Sequence, residues 1–390
     1  MTKNVDFFRE KKPAAVFKHK LLEDYLSAWS PKLNLRNKNR GVSFVDGYAG
    51  QGRYDGSSPG SPAIAMQVAR KGKSNLQCVF VEKDPATAQV LKNVIKKEGF
   101  GLDVRGPFVG DLESQLENVL QAVGTKPALF FLDPFGTALE RDLITSQILM
   151  RESLSTELLL NFNIEAVWRM GGALKHAKSA RTSSAQKTIE AADRFLGGDW
   201  WHSDFVEARH VAEKEKNLRP AALAAERVAN TYADQISSKS GYSTMSVPIR
   251  RKEHQAPFFH LMLFYKHQDA KLLFADSAAR AHQHWRATFW ERYKDEEENS
   301  LTLFPIDAEL EASNANEELS KKAVTYISKK IDELLQEHSS IDVSDNLEKL
   351  FGPYMGTAFN KDLRKAWKTS KLALPPISGT KLDRQLIKRR

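Results

Sequence analysis

The chain has 390 residues, 41% of them apolar and 27% charged, an ordinary globular composition with enough length for two or three cores. No run approaches about 18 uncharged apolar residues, so a helical membrane span is excluded. The first dozen residues have no apolar stretch of the secretory kind, so the chain reads as cytoplasmic. The single cysteine, Cys78, excludes an intramolecular disulfide and the usual cysteine-held zinc or iron–sulfur centres. The charge of +9 is concentrated at one end: residues 361–390 hold ten Lys and Arg against two Asp, leaving the rest nearly neutral.

In chain order, Lys18-His19-Lys20 is expected to open a helix through Leu21, Leu22, Tyr25, Leu26 and Trp29. A basic pair is a poor choice beside the positive end of a helix dipole, which favours a ligand-facing role for Lys18 and His19 over a solvated first turn. Residues 41–46, 76–82 and 127–133 read as buried strands, and each ends in an acid: Asp46, Glu82 and Asp133. Residues 156–162 make a fourth such run. Helical patterns at 62–71, 85–98, 111–122 and 139–152 lie between and after them. Alternating strands and helices predict an α/β, doubly wound parallel sheet, whose ligands bind outside the carboxyl ends of the strands. One terminal acid is commonly a helix cap or a solvated turn. Three acids on three strands of one sheet suggest a shared site.

Residues 163–240 are polar with helical spacing and read as a helical insertion, with Trp168, Trp200 and Trp201 inside it. Residues 243–251 and 257–266 follow as a hairpin, and a long helix spans 269–294. The α/β domain is therefore expected over 41–162 and 241–295, after an N-terminal helical segment at 1–40. A separate basic unit is expected at 317–390, with helices over 317–337, 342–354 and 360–371. Three helices with a basic third one and a trailing segment are compatible with a winged helix-turn-helix. There Arg364, Lys365, Lys368, Lys371, Lys388, Arg389 and Arg390 are candidate nucleic-acid contacts. A plain helical extension with solvated charges is the equal alternative.

The densest chemistry lies in Asp46-Gly47-Tyr48-Ala49-Gly50-Gln51-Gly52-Arg53-Tyr54, a strand end followed by a glycine-rich turn. Gly50 and Gly52 permit a close backbone approach to a ligand. The loop departs from the dinucleotide fingerprint, because Asp55 stands where its third glycine belongs. Glu82 also follows Asp46 by 36 residues rather than the roughly 20 of a classical nucleotide-binding half. No Lys-Ser or Lys-Thr completes a phosphate-binding loop, which weakens a nucleotide-hydrolase reading. Glu82 suits the two hydroxyls of a ribose. Asp111 suits either an adenine amino group or the N-cap of the following helix, and the two roles are compatible. Asp133-Pro134-Phe135-Gly136 forms a stiff strand exit, with Asp133 able to receive an amine hydrogen and Phe135 able to stack on a base. Hard-metal binding by Asp46, Glu82 and Asp133 is the weaker option, and no metal is expected.

Lys18-His19, the loop 46–54, Pro59-Gly60-Ser61-Pro62, Val81-Glu82-Lys83-Asp84 and Asp133-Pro134-Phe135-Gly136, in that order, resemble the three-Cys-motif partner proteins. They are similar, more distantly, to the J-type large-subunit ribosomal RNA adenine-N6 methyltransferases. The resemblance covers roughly residues 15–165. It implies a class I methyltransferase-like (Rossmann-like) fold and S-adenosylmethionine as cofactor. Lys18, His19, Asp46, Tyr48, Gly50, Gly52, Glu82 and Asp111 would lie on the cofactor side, and Asp133, Pro134 and Phe135 on the methyl-acceptor side. It also implies a companion protein bearing a three-cysteine motif, with the radical S-adenosylmethionine type as one form of it. One departure stands out. Amino-methyltransferases carry Asp/Asn-Pro-Pro followed by an aromatic residue, whereas here the aromatic comes one place early. The expected activity is methyl transfer to RNA or DNA. The alternative is a non-catalytic adaptor that delivers a partner enzyme to nucleic acid.

Overall fold

The computed structural model describes residues 13–54, 58–72, 74–134, 139–151, 155–177, 183–250, 255–298, 307–377, 382 and 385–390. They fall into two compact units, one holding Ser30–Lys266 and the other Ala15–Trp29 with His267–Arg390.

The first unit is built on a seven-stranded sheet. Its strands are β1 (Val42–Asp46), β4 (Leu76–Glu82), β5 (Val104–Val109), β6 (Ala128–Leu132), β7 (Thr156–Asn163), β8 (Ser243–Ile249) and β9 (Phe259–Tyr265), in the order β5-β4-β1-β6-β7-β9-β8. The first five are parallel, and β9 runs antiparallel to both β7 and β8. The order reverses between β1 and β6, which places a crevice at their carboxyl ends. β1 and β6 are buried along their whole length, as strands covered on both faces must be. The expected doubly wound, Rossmann-like sheet is thus the one the chain forms. β5 was not anticipated: it is a mostly exposed edge strand containing Pro107, so it lacks the apolar run that marks the inner strands. The two-residue strands β2 (Arg53–Tyr54) and β3 (Ser58–Pro59), paired antiparallel after the glycine-rich turn, are equally illegible in the sequence.

α2 (Ser61–Lys71) and α3 (Pro85–Glu98) pack against the sheet at β1, β4 and β5. α4 (Leu112–Val123), α6 (Ile164–Ala177), α7 (Ser183–Leu196), α8 (Trp200–Lys214) and α9 (Pro220–Ser240) build a core with it. The stretch expected as an insertion therefore shares the core of the sheet: Phe162 of β7 packs against Phe195 and Tyr232 at 5.4 and 5.1 Å between ring centroids. Trp201 is fully buried, whereas Trp168 is exposed. The helix expected over 139–152 is shorter and partly wider, with α5 (Arg141–Leu143) running into a π-helical turn over Ile144–Leu149.

α1 spans Pro13–Arg36. Lys18 and His19 consequently do not open the helix. The pair lies more than one turn inside it, where the dipole objection to cations has faded.

In the second unit, α10 (Gln268–Glu298) is followed by α11 (Ala308–Glu337), β10 (Ser340–Asp342), α12 (Leu347–Phe351) with a 3-10 turn, α13 (Asn360–Thr369) and β11 (Leu386–Lys388). β10 pairs antiparallel with β11, and Ala373 bridges to Arg389. A core of Ile327, Ile331, Leu350, Phe351, Leu363 and Ile387 closes these elements on one another. The long helix α10, expected to extend the sheet domain, groups with this unit. The expected helix over 342–354 is divided into a strand residue, a turn and two short helical pieces.

Candidate cofactor and acceptor site

β1 and β4 are adjacent parallel strands, so Asp46 and Glu82 emerge side by side at the carboxyl edge. Asp46 is fully buried, and its Oδ1 accepts the Tyr48 backbone N–H at 3.1 Å, which folds the chain back into the glycine-rich turn. Gly50 and Gly52 have φ of +62° and +84°, a region that favours glycine. A Cβ on Gly52 would stand 2.9 Å from Leu91 Cδ1 and 3.3 Å from Val94 Cγ1 of α3. Glycine is thus required at 52 by backbone conformation and by packing of the turn onto α3. Gly52 C=O accepts the Gly60 N–H at 2.9 Å, and Arg53 forms a two-pronged ion pair with Glu98 at the end of α3. That guanidinium holds the Glu98 carboxyl below its usual range.

The Glu82 carboxylate is aligned from both sides. Oε2 accepts the Gly50 N–H and Oε1 accepts the Asp84 N–H, each at 2.8 Å. Each oxygen keeps a further lone pair, so two hydroxyl donors can be received together. Asp84 caps α3 by accepting from Thr87 N at 2.7 Å. Asp111 caps α4 by accepting from Ser114 N at 3.0 Å, and Lys83 Nζ lies 3.8 Å from it. Hydrogen bonds from Ser114, then the Lys83 charge, keep the Asp111 carboxyl below its ordinary value. The capping role is therefore filled, and the remaining oxygen is half-exposed.

Asp133 follows β6 directly. Its Oδ1 accepts the side-chain amide N–H of Asn161 at 2.5 Å, and Pro134 behind it is buried. Asn161 lies on β7, is 2% exposed, and leaves its own Oδ1 without a hydrogen-bond partner among the described residues. Sequence reasoning passed over this residue. The available signal was an amide inside the otherwise apolar run Leu158-Leu159-Leu160-Asn161-Phe162, since a buried polar group needs a partner. Phe135 lies outside the described residues. The hydroxyls of Tyr48 and Tyr54 are both pushed upward by burial. Glu113, Asp133 and Asp111 add to the shift at Tyr48, and Asp133 and Asp46 add to it at Tyr54, so both phenols stay protonated beside this acidic edge.

Lys18 and His19 belong to the second unit. Cys78 is buried in β4, and burial pushes its thiol far above the ordinary range, so it offers no thiolate nucleophile. Among the described residues no three His, Cys, Asp or Glu side chains gather as a metal site, and no helix is long and apolar enough to cross a membrane. The basic candidates of the second unit lie on and after α13. Lys365, Lys368, Lys371, Lys388, Arg389 and Arg390 are exposed, and Arg364 is half-buried.

No protein-family model matches the chain, and no curated protein is similar to it in sequence. Among solved structures, it is similar to an O-methyltransferase from Bacillus cereus crystallised with SAH, at 11% identity and a TM-score of 0.34, over 64% of this chain and 80% of that one. The O-methyltransferase TomG of Streptomyces achromogenes, crystallised with SAM, gives 12% identity and a TM-score of 0.32 over 64% and 80%. The methyltransferase domain of bacterial CtHen1 gives 9% and 0.32 over 63% and 100%. Likenesses this distant do not assign an activity.

Proposed function

We propose that the chain is an S-adenosylmethionine-dependent methyltransferase-like protein acting on nucleic acid together with a three-cysteine-motif companion. The observation that carries the cofactor part is the Glu82 carboxylate, held by the Gly50 and Asp84 amides beside a left-handed glycine turn at the crevice of a doubly wound sheet. A carboxylate in that state is a pre-aligned acceptor for a ribose. Asp111, half-exposed at the start of α4, can receive an adenine amino hydrogen.

Bound there, S-adenosylmethionine supplies a methyl group on a sulfonium centre. The chain's own contribution is alignment. Asp133, steadied by Asn161, receives a hydrogen bond from the group to be methylated, and the buried Pro134 stiffens the exit that carries it. Tyr48 and Tyr54 line the acidic edge as neutral, half-buried rings and help to exclude water. No covalent enzyme intermediate is needed.

Calorimetric titration with S-adenosylmethionine tests the cofactor reading. Binding is expected in the native chain and should weaken at least about thirtyfold in Glu82→Ala, which loses charge-assisted hydrogen bonds. Label transfer from S-adenosylmethionine to total cellular RNA and DNA, with and without the companion, tests the reaction, and Asp133→Ala should abolish it. Binding with no transfer under either condition points to the adaptor reading, and no binding removes the cofactor assignment.

A further inference from the structure

The lysines of the second unit are of two kinds. On α11, Lys321 pairs with Glu317 at 2.8 Å, Lys322 with Glu318 at 2.6 Å and Lys330 with Glu333 at 2.9 Å. That surface is charged but locally neutral. On α13, the exposed Lys361, Lys365 and Lys368 recur at helical spacing, while Asp362, Leu363, Ala366 and Trp367 are buried behind them. The acids around α13 are engaged elsewhere. Asp362 accepts from Ser320 Oγ at 2.7 Å and from Phe359 N at 2.9 Å, and stands 3.9 Å from Lys365. Asp332 accepts from Ser370 Oγ and the Lys371 and Leu372 amides, and Asp276 accepts from Asn360 N. Lys361, Lys368, Lys388 and Arg389 therefore make no ion pair among the described residues.

We propose that the α13 face docks on the sugar–phosphate backbone of double-stranded DNA without reading base sequence. This rests on the nucleic-acid reading above and specifies its contact mode. Three observations carry it. The outward positions 361, 365 and 368 are all lysine, flexible point charges that suit phosphates. Two of the polar neighbours are engaged within the chain: the Asn360 side-chain N–H donates to Leu272 O, and the Thr369 hydroxyl donates to Ala366 O. The Phe359 and Asn360 amides at the N-terminal end of α13, where a helix end grips phosphate, are already taken by Asp362 and Asp276. The helix must then lie lengthwise and grip through its side chains. A helix about 10–12 Å across fits the B-form major groove, about 12 Å wide, with phosphates on either rim. The deep, narrow A-form groove of RNA excludes it.

The test is fluorescence-anisotropy titration of the full chain with two DNA duplexes of unrelated sequence, a matching RNA duplex and anionic phosphatidylserine vesicles, from about 50 to 200 mM salt. The two DNA duplexes should bind within about threefold of each other, and more tightly than the RNA, with a steep salt dependence. The triple variant Lys361→Gln/Lys365→Gln/Lys368→Gln should reduce the log–log salt slope by about 3 and weaken binding at low salt at least about tenfold. Lys321→Gln/Lys322→Gln should change neither, and circular dichroism confirms that each variant is folded. A tenfold preference between the duplexes (roughly the discrimination of one base contact), equal or tighter binding to RNA, binding to vesicles alone, or an unchanged slope in the triple variant would each overturn the proposal. A native chain that binds S-adenosylmethionine but neither DNA duplex refutes this contact mode and leaves the cofactor reading standing. The reverse result does the opposite.

Discussion

The carboxylates at the strand ends and the lysines of α13 are both charged groups offered to a ligand, but they are held in opposite ways. Glu82, Asp46, Asp111 and Asp133 each accept a hydrogen bond from a defined amide of the chain. Lys361, whose Nζ lies 4.7 Å from the Phe359 ring centroid, and Lys368 make no ion pair among the described residues. A fixed acceptor is pre-organised, so it discriminates between ligands, and small displacements of it are costly. A loose cation discriminates little and adds attraction that salt removes. Perturbations inside the first unit should therefore be large and specific, while those on α13 should be small singly and cumulative.

The largest effect expected is at His260 on β9, which shares a 2.8 Å hydrogen bond with Ser246 Oγ. Burial, with Arg250 adding, holds its imidazole down to about 4 from 6.5. The folded chain binds that proton less readily than the unfolded chain. Stability from this group is therefore complete above about 6.5 and is lost as pH falls through about 4, by up to roughly 3 kcal/mol. Denaturant unfolding at neutral and acid pH should show that loss. His260→Gln should flatten the slope, and an unchanged slope would move the acid sensitivity elsewhere.

Next in size is Gly52→Ala. A non-glycine residue at φ +84° beside Leu91 and Val94 should cost about 2 kcal/mol, read as a lower melting temperature together with weaker S-adenosylmethionine binding. Full stability with full binding would show that the turn is softer than the contrast requires. Asn161→Ala should be milder. Single-turnover methyl transfer should slow roughly tenfold while S-adenosylmethionine affinity stays within about twofold, because only Asp133 loses its partner. Equal losses in both would make Asn161 a structural residue. The smallest effect is expected for Lys361→Gln alone, about threefold in DNA affinity at low salt and nothing in stability. A tenfold loss from this one change would mean that α13 is as finely arranged as the strand ends.

The inner strands, their terminal acids and the glycine turn were legible because each is written locally: an apolar run, an acid, then Gly-x-Gly. β5 was hidden because an edge strand with Pro107 need not be apolar. The start of α1 was misplaced because the sequence emphasis fell on a conspicuous Lys-His-Lys, whereas the helix already includes Pro13. Asn161 escaped notice because its partner lies 28 residues away, just past the end of the neighbouring strand.

From sequence alone, periodicity and turn chemistry determined the alternating α/β order, the acid at each of three strand ends and the basic character of the last thirty residues, since these depend only on neighbours along the chain. Tertiary structure alone decided which amide aligns which carboxylate, that Gly52 must yield its side-chain space to Leu91 and Val94, and that Lys321 and Lys322 of α11 are paired while Lys361 and Lys368 of α13 make no ion pair among the described residues. Those outcomes turn on distances of a few ångströms between residues tens of positions apart, and only the packed chain sets such distances.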